Sequence, residues 1–351
     1  MKILHYVNEN KLAWGESWIQ LLKELEADGV DNYVVCKNGG TLIGRMREEG
    51  IKVYGFDPLV SALPCLASGF GRIVKEVKPD IIHTRLSSAA KIGGYWGRKL
   101  GIPVLQTVDK FPKAYYHKKA TMLLPCSEAV AEHMESLGFP KSMMKLLPNT
   151  INVKRYAIDN KVREETRKKY GVSPSETVII GAGRFVDWKG FDDMITGFSQ
   201  SEAYRKGAKL WVVGSGVEEE NLRALAKKLG SEGSITFIPF TADIRPLLWA
   251  ADVFVQPSWG GEAFGIILIE AMASSLSCIA TYNGGMKDIV ENNVSGLHVP
   301  VHSPEKIAEA IDKNSDPALR KRLTEGALAR AEAYDVKSVA ELTVNIYKEF
   351  C

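Results

Sequence analysis

Cysteine is scarce: Cys36, Cys65, Cys126, Cys278 and Cys351 are the only five in 351 residues. None stands in a CxxC pair and none has a histidine at ligand spacing, which excludes a zinc ribbon and a dense disulfide framework. A reducing, cytoplasmic compartment fits this usage. Charge of one sign is also missing. Lys and Arg number 45 against 42 Asp and Glu, a net charge of +3, too small to argue for a nucleic-acid partner. No apolar run reaches the roughly 18 residues that a membrane span needs, so any membrane contact is expected to be peripheral. The opening MKILHYVNE reads as a strand and lacks the apolar core of a signal peptide. Low-complexity segments and short-period repeats are absent too.

What is present is the composition of an ordinary globular protein, 45% hydrophobic and 25% charged. The chain is longer than the roughly 250–300 residues at which a single core stops growing, so two domains are expected. Short apolar runs at 3–7, 33–36, 52–56, 81–83 and 104–107 alternate with helical patterns or turns. The series pauses at 149–173, where the charged stretch NKVREETRKKYGVSP reads as a helix, and restarts at 177–182, 210–214, 235–239, 253–257, 277–281 and 296–299. Such alternation predicts parallel sheets covered by helices on both faces. The expected architecture is α/β: two Rossmann-like, doubly wound domains facing across a cleft, with ligands outside the carboxyl ends of the strands. A helix is expected over about 336–350.

Several groups are candidates for chemistry. Gly15 follows the first strand, where a glycine lets backbone N–H groups approach a phosphate, or simply makes a turn. In GRFVDWKGF (183–191), Arg184 and Lys189 lie five apart across a turn. Two cations there can neutralise a departing diphosphate, although Lys189-Gly190 also fits a plain helix start. Gly214 and Gly216 flank Ser215 after another strand, as a wall beside a ligand or as a tight turn. The most informative run is GEAFGIILIEAMASSLSCIATYNGGMKDIVENNVSGLHV, residues 261–299. Glu262 is expected in a loop before a helix starting near Phe264 or Gly265. The amides of Phe264, Gly265 and Ile266 would then face phosphate or sugar oxygens. Glu270 falls one to two turns into that helix, and a carboxylate suits a diol because it accepts two hydroxyl donors. His83 ends an apolar strand, either facing the cleft or packed beneath it. Trp188 and Trp259 suit a sugar face or plain packing. Arg98, Lys99, Lys110, Lys113, Lys118 and Lys119 crowd one stretch, either as a solvated face or as a basic rim toward an anionic membrane or phosphorylated acceptor.

Taken in order, Gly15, PDIIH (79–83), CSEAVAEHM (126–134), LPN (147–149), GRFVDWKGF, GSG and EAFGIILIEAMA resemble a retaining glycosyltransferase of family 4, with the GT-B fold, over nearly the whole chain. The resemblance implies an N-terminal, acceptor-binding domain over 1–155 and a nucleotide-sugar-binding domain over 156–335. A last helix, about 336–351, would cross back to the first. It implies transfer of a hexose-type sugar from a nucleotide diphosphosugar, UDP- or GDP-linked, to an acceptor hydroxyl on a glycan or glycolipid. Retention, independence of metal and the absence of any cofactor come with it. By the same resemblance Arg184 and Lys189 hold the donor diphosphate, Glu262 contacts donor sugar hydroxyls and Glu270 the nucleotide ribose. Gly15 and the amides at 264–266 complete the donor site, and backbone near 237–240 meets the base. The setting implied is assembly of surface polysaccharide, lipopolysaccharide or glycolipid, in the cytoplasm at the inner face of the membrane. A catalytically silent sugar-nucleotide or glycan-binding protein is the alternative from another class; a GT-B epimerase or phosphorylase is the enzyme alternative.

The chain departs from the family pattern at one place that matters. Members often carry a histidine in a THG or TVHG-like string, and this chain reads QTVDKFP, with Asp109 at or beside that position. An aspartate suits sugar or acceptor hydroxyls rather than a diphosphate, whose charge it would oppose. The NGVD-like turn is NTIN here, at 149–152, and Ser275 and Ser277 replace a common Gly and Pro.

Overall fold

The computed structural model describes residues 1–11, 15–60 and 63–351. The chain divides into two compact units, Met1–Asn152 with Tyr334–Cys351, and Val153–Ala333. Among the described residues each unit holds one six-stranded sheet, and every strand pairing is parallel. The first sheet contains β1 (Lys2–Val7), β2 (Asp31–Cys36), β3 (Lys52–Gly55), β4 (Ile81–Arg85), β5 (Val104–Val108) and β6 (Met122–Pro125). The second contains β7 (Val178–Arg184), β8 (Lys209–Ser215), β9 (Ile235–Ile238), β10 (Val253–Gln256), β11 (Ser277–Thr281) and β12 (Leu297–Val299). The orders are β3-β2-β1-β4-β5-β6 and β12-β11-β10-β7-β8-β9. Each is the doubly wound order of a dinucleotide-binding sheet, with its crevice where the order reverses, at β1/β4 and at β7/β10.

Burial on both faces explains the strand sequences. Ile3, Leu4, Tyr6 and Val7 in β1, and Val178, Ile179 and Ile180 in β7, are all buried. A sheet with helices on both sides requires such near-continuous apolar runs. Polar side chains mark the helix starts instead. Ser127 Oγ accepts from Val130 N at 3.2 Å and Asp159 Oδ1 from Val162 N at 3.1 Å, each meeting one amide that the first turn leaves open. The helix Asn160–Lys169 that follows Asp159 is polar at every position but Val162, yet it is anchored. Arg163 and Arg167 both reach Asp252, whose Oδ2 also accepts from Val178 N at 2.8 Å. Asp252 thus joins this helix to the start of β7.

The last helix, Val336–Lys348, belongs to the first unit. Its entry is fixed by Ile151 N donating to Tyr334 O at 3.1 Å and Val336 N donating to Ile151 O at 3.0 Å. Val339, Ala340, Val344, Ile346 and Tyr347 then enter the core that holds Ile3, Leu22 and Leu105. Fully burying one such side chain stabilises by about 1.5–3 kcal/mol.

Three local expectations change. β6, the short run MLLP, was not among the strands read from the sequence. Gly15 is the first residue of the helix Gly15–Ala27, not a turn residue. The GSG segment is not a tight turn: Gly214 and Ser215 are the last residues of β8, opposite Gly183 and Arg184 of β7. A Cβ on Gly214 would stand 1.9 Å from Gly183 O, so close approach of the two strand ends demands glycine there. No helix among the described residues is long and apolar enough to cross a membrane.

Candidate active site

In the second unit, the loops after β7 and β10 leave neighbouring strands at the switch point, and their backbones are knitted together. Trp259 N donates to Trp188 O at 3.0 Å. Arg184 closes β7 and is exposed, and its side chain makes no ion pair or hydrogen bond among the described residues; its guanidinium carbon lies 5.9 Å from the Trp188 ring centre. After it, Asp187–Lys189 forms a single 3-10 turn that ends on Gly190 in the left-handed region, φ 67°. The turn presents Lys189 toward β10, where Lys189 Nζ donates to Glu262 Oε2. The side chains are only 12% and 15% exposed. Gln256 Nε2, from the last residue of β10, donates to the same oxygen at 3.3 Å.

The Gly284-Gly285 turn holds Glu262 from behind. Gly285 N donates to Glu262 O at 3.0 Å. Gly284 has φ 51°, and a Cβ on it would lie 2.3 Å from that same carbonyl oxygen. The glycine pair after β11 therefore lets the Glu262 backbone sit where its carboxylate meets Lys189.

The helix carrying Glu270 spans Ile266–Ala273 and is capped by Gly265, φ 116°. It begins at Ile266, so Phe264 precedes the cap instead of opening the helix, and its side chain is 4% exposed. Only the amides from Gly265 onward belong to the helix N-terminus. Glu270 is the one polar residue in IILIEAMA. It does not meet Lys189 or Glu262. Its Oε1 accepts from Tyr156 OH at 2.6 Å. Burial pushes the Glu270 carboxyl up, the Tyr156 hydrogen bond pulls it down, and the Asp243 charge pushes it up again.

Two candidates lie in the first unit, on separate cavities. Gly15 lines one of about 460 Å³ with Glu16, Gly40, Thr41 and Arg45. Asp109 lines one of about 250 Å³ at the carboxyl ends of β1, β4 and β5, with Asn8, Leu86, Ser88, Lys110 and His117. Both carboxylate oxygens of Asp109 are shielded from solvent without a hydrogen-bond partner. Leu86, on the same cavity, adopts φ 70°, a conformation that costs a non-glycine residue about 1–3 kcal/mol and gathers at ligand sites. His83, by contrast, is fully used in structure. Nδ1 is hydrogen-bonded to Tyr347 OH at 2.5 Å and Nε2 to Thr107 Oγ1 at 2.7 Å.

Of the remaining sequence candidates Trp259 packs, whereas Arg98, Lys99, Lys110, Lys113, Lys118 and Lys119 are all exposed. Trp259 stacks on His302, ring centres 5.0 Å apart. Arg98 and Lys99 end the helix Ser87–Leu100, where cations suit its dipole. Lys99 Nζ lies 4.8 Å from the centre of Trp96, and Lys119 Nζ 4.6 Å from Tyr95. Sequence reasoning missed Tyr156 and Gln256. The first sits in a short 3-10 turn, Val153–Tyr156, and the second reads as an ordinary strand end.

Known proteins place this chain in a family. The family model described as Glycosyltransferase Family 4 matches residues 15–155, and that described as Glycosyl transferases group 1 matches 162–330. The lipopolysaccharide core biosynthesis glycosyltransferase LpsE of Rhizobium meliloti is 25% identical over 332 residues, 93% of this chain and 92% of its own. A GDP-mannose-dependent alpha-(1-6)-phosphatidylinositol monomannoside mannosyltransferase of Mycobacterium tuberculosis is 33% identical over 180 residues, 49% of this chain and 46% of its own. Among solved structures, Anabaena HepE in complex with UDP superposes with a TM-score of 0.87 at 20% identity, covering 99% of this chain and 100% of that one. The lipopolysaccharide outer core galactosyltransferase WaaB, in its apo form, superposes with a TM-score of 0.78 at 16% identity over 99% and 100%. The two family matches span both units in sequence order, and the fold is that of GT-B enzymes: the chain is a family 4 glycosyltransferase, of the group 1 glycosyl transferases.

Proposed function

We propose that the second unit binds a nucleotide diphosphosugar and that the enzyme passes the sugar to an acceptor hydroxyl with retention of anomeric configuration. The observation that carries the reading is the pairing of Lys189 with Glu262 at the β7/β10 switch point, beside the unpaired Arg184. An ammonium has three N–H donors. Lys189 can therefore keep Glu262 and still give a proton donor to a phosphate oxygen, while Arg184 supplies the second cation. Glu262 retains lone pairs for sugar hydroxyls. The bond from the anomeric carbon to the phosphate oxygen breaks, and the bond to the acceptor oxygen forms on the same face. The acceptor proton passes to the leaving phosphate, and a nucleoside diphosphate departs. Its developing charge falls on Arg184 and Lys189. Neither a dedicated protein base nor a resident metal or cofactor enters this scheme.

HepE structures with UDP, and with UDP-glucose, and the GDP-mannose dependence of the mycobacterial relative support a UDP- or GDP-linked donor. LpsE and WaaB, by name, act in lipopolysaccharide assembly, which supports a glycan or glycolipid acceptor. We assign acceptor binding to the first unit, with Asp109 on its cavity. The same unit exposes Leu59, Leu63 and Leu66. Trp96 Nε1 donates to Pro64 O at 3.0 Å, which sets Lys99 beside that segment. These features favour peripheral contact with an anionic membrane. Co-sedimentation with phosphatidylglycerol vesicles but not phosphatidylcholine vesicles is the expected result, and equal recovery from both counts against the contact.

Slow donor hydrolysis tests the reaction itself. Incubated in EDTA with α-linked UDP- and GDP-sugars, the enzyme should release α-sugar from one of them, seen by NMR before mutarotation. Release of β-sugar would contradict retention. Tight binding without any turnover, with or without acceptor, would favour a silent binder.

A further inference from the structure

Tyr156 has no role in the reading above, yet its placement is specific. The turn Val153–Tyr156 opens the second unit and is held from one side by the helix Arg245–Ala250. Trp249 Nε1 donates to Tyr156 O at 2.9 Å, and Arg245 Nη1 to Arg155 O at 3.4 Å. So fixed, the Tyr156 hydroxyl reaches 114 residues along the chain to Glu270 Oε1, 2.6 Å away. Among the described residues Glu270 has no other hydrogen-bond partner for its carboxylate. On its helix, Leu268, Ile269, Ala271, Met272 and Ala273 are all buried.

We infer that Tyr156 is a positioning residue for the nucleoside half of the donor: its hydroxyl fixes one oxygen of Glu270 and leaves the other free for the ribose hydroxyls. The inference rests on the reading of Glu270 as the ribose acceptor. A carboxylate pinned at one oxygen loses the freedom to rotate about its last torsion, so the second oxygen is aimed before ligand arrives. The same hydrogen bond favours the charged form in a site that burial would otherwise neutralise. Asp243, the other charged group acting on Glu270, is held by Arg245 through Nε–Oδ1 at 2.7 Å and Nη2–Oδ2 at 2.6 Å. Behind the helix, Pro317–Ala331 turns Leu323, Ala327 and Ala331 inward, and its Arg330 donates to backbone oxygens of Asp288 and Ile289. The tyrosine is itself kept protonated, since burial and Glu270 both push its ionisation up. It remains a donor at every working pH.

The test is calorimetric binding of UDP, GDP and ADP, and of their 2′-deoxy forms, to the full chain and to Tyr156→Phe between pH 5 and 8. Wild type should prefer one ribonucleotide over its 2′-deoxy form. In Tyr156→Phe the ribonucleotide should weaken about tenfold while the 2′-deoxy form changes little, and the loss of binding on the acid side should move to higher pH. An unchanged preference and an unchanged acid limb in a folded Tyr156→Phe protein would overturn the inference and leave a structural tether. If that variant does not fold, 3-fluorotyrosine placed at Tyr156, a stronger donor of nearly the same shape, should move the acid limb to lower pH; an unmoved limb overturns the inference equally. Failure of the Glu270 reading looks different: wild type then shows no ribose preference, and Glu270→Gln binds as wild type does.

Discussion

Lys189 Nζ donates to Glu262 Oε2 across 73 residues of sequence, with neither side chain more than 15% exposed. Both sit where the order of the second sheet reverses, on loops whose backbones are joined at Trp188 and Trp259. A near-buried cation beside one carboxylate, with a free arginine on the adjoining strand end, is an arrangement suited to an incoming anion.

Lys189→Ala should therefore lower kcat by about 10²–10³, with a melting temperature that falls by only a few degrees. Glu262→Gln should act differently. It leaves the lysine free for phosphate and removes a sugar contact, so nucleoside diphosphate should bind as tightly as before or tighter while turnover drops. Steady-state kinetics paired with nucleotide calorimetry separates the two. Wild-type turnover by a folded Lys189→Ala enzyme counts against the assignment.

Asp109 holds two shielded carboxylate oxygens that no described residue satisfies. Burying polar oxygens without partners is costly, so the free protein carries a penalty that a bound polyol would relieve. Asp109→Asn should keep or raise the melting temperature while raising the acceptor KM about tenfold or more. A destabilised variant with unchanged acceptor KM would assign Asp109 to structure. The acceptor assay follows once the donor is identified.

Asp252 collects Arg163, Arg167 and the amide of Val178. Arg167 is 5% exposed, and removing the partner of a buried charge costs about 3–5 kcal/mol. Urea unfolding of Asp252→Ala should show a loss of this size. Nucleotide binding by the folded fraction should stay unchanged, because the residue is at the opposite, amino-terminal end of the strands from Lys189.

Three histidines of the first unit are held neutral. Burial lowers His5 and His117 to about 4 and His83 well below its usual range. Their folded values lie under the unfolded value of roughly 6.5. The stability they contribute is thus complete above pH 6.5 and lost as pH falls toward 4, since the unfolded chain takes up protons that the fold refuses. Near pH 5, unfolding should take up about three protons, measurable as the slope of stability against pH. A flat profile between pH 6.5 and 5 would show that these imidazoles are protonated in the fold.

Much of the fold was legible because its code is local. Runs such as Val178–Ala182 and Leu210–Gly214 are apolar throughout, as a strand covered on both faces requires. β6, a run of only four residues, was not. The candidate site divides along the same line. Glu262 and Glu270 stand out because charge interrupts an apolar helix start, and Arg184 and Lys189 because cations flank a turn after a strand. Their partners are set by topology. Nothing local in the sequence joins Lys189 to Glu262, or Tyr156 to Glu270. The need for Gly284 becomes visible only when its neighbour, the Glu262 carbonyl, is in place. His83 illustrates the converse: a histidine at a strand end invites a catalytic reading until Tyr347 and Thr107 are seen to occupy both its nitrogens.

The most direct measurement is the melting temperature of the purified protein with UDP, GDP or ADP and their common sugar conjugates, in EDTA. A ligand that binds only the native state raises it, by about 2.7 kcal/mol of stability at a hundredfold excess over Kd. The account predicts a shift with one nucleoside diphosphate and its sugar, lost in Arg184→Ala. The absence of any shift, or a shift of equal size in Arg184→Ala, would contradict a donor diphosphate held at the β7/β10 switch point.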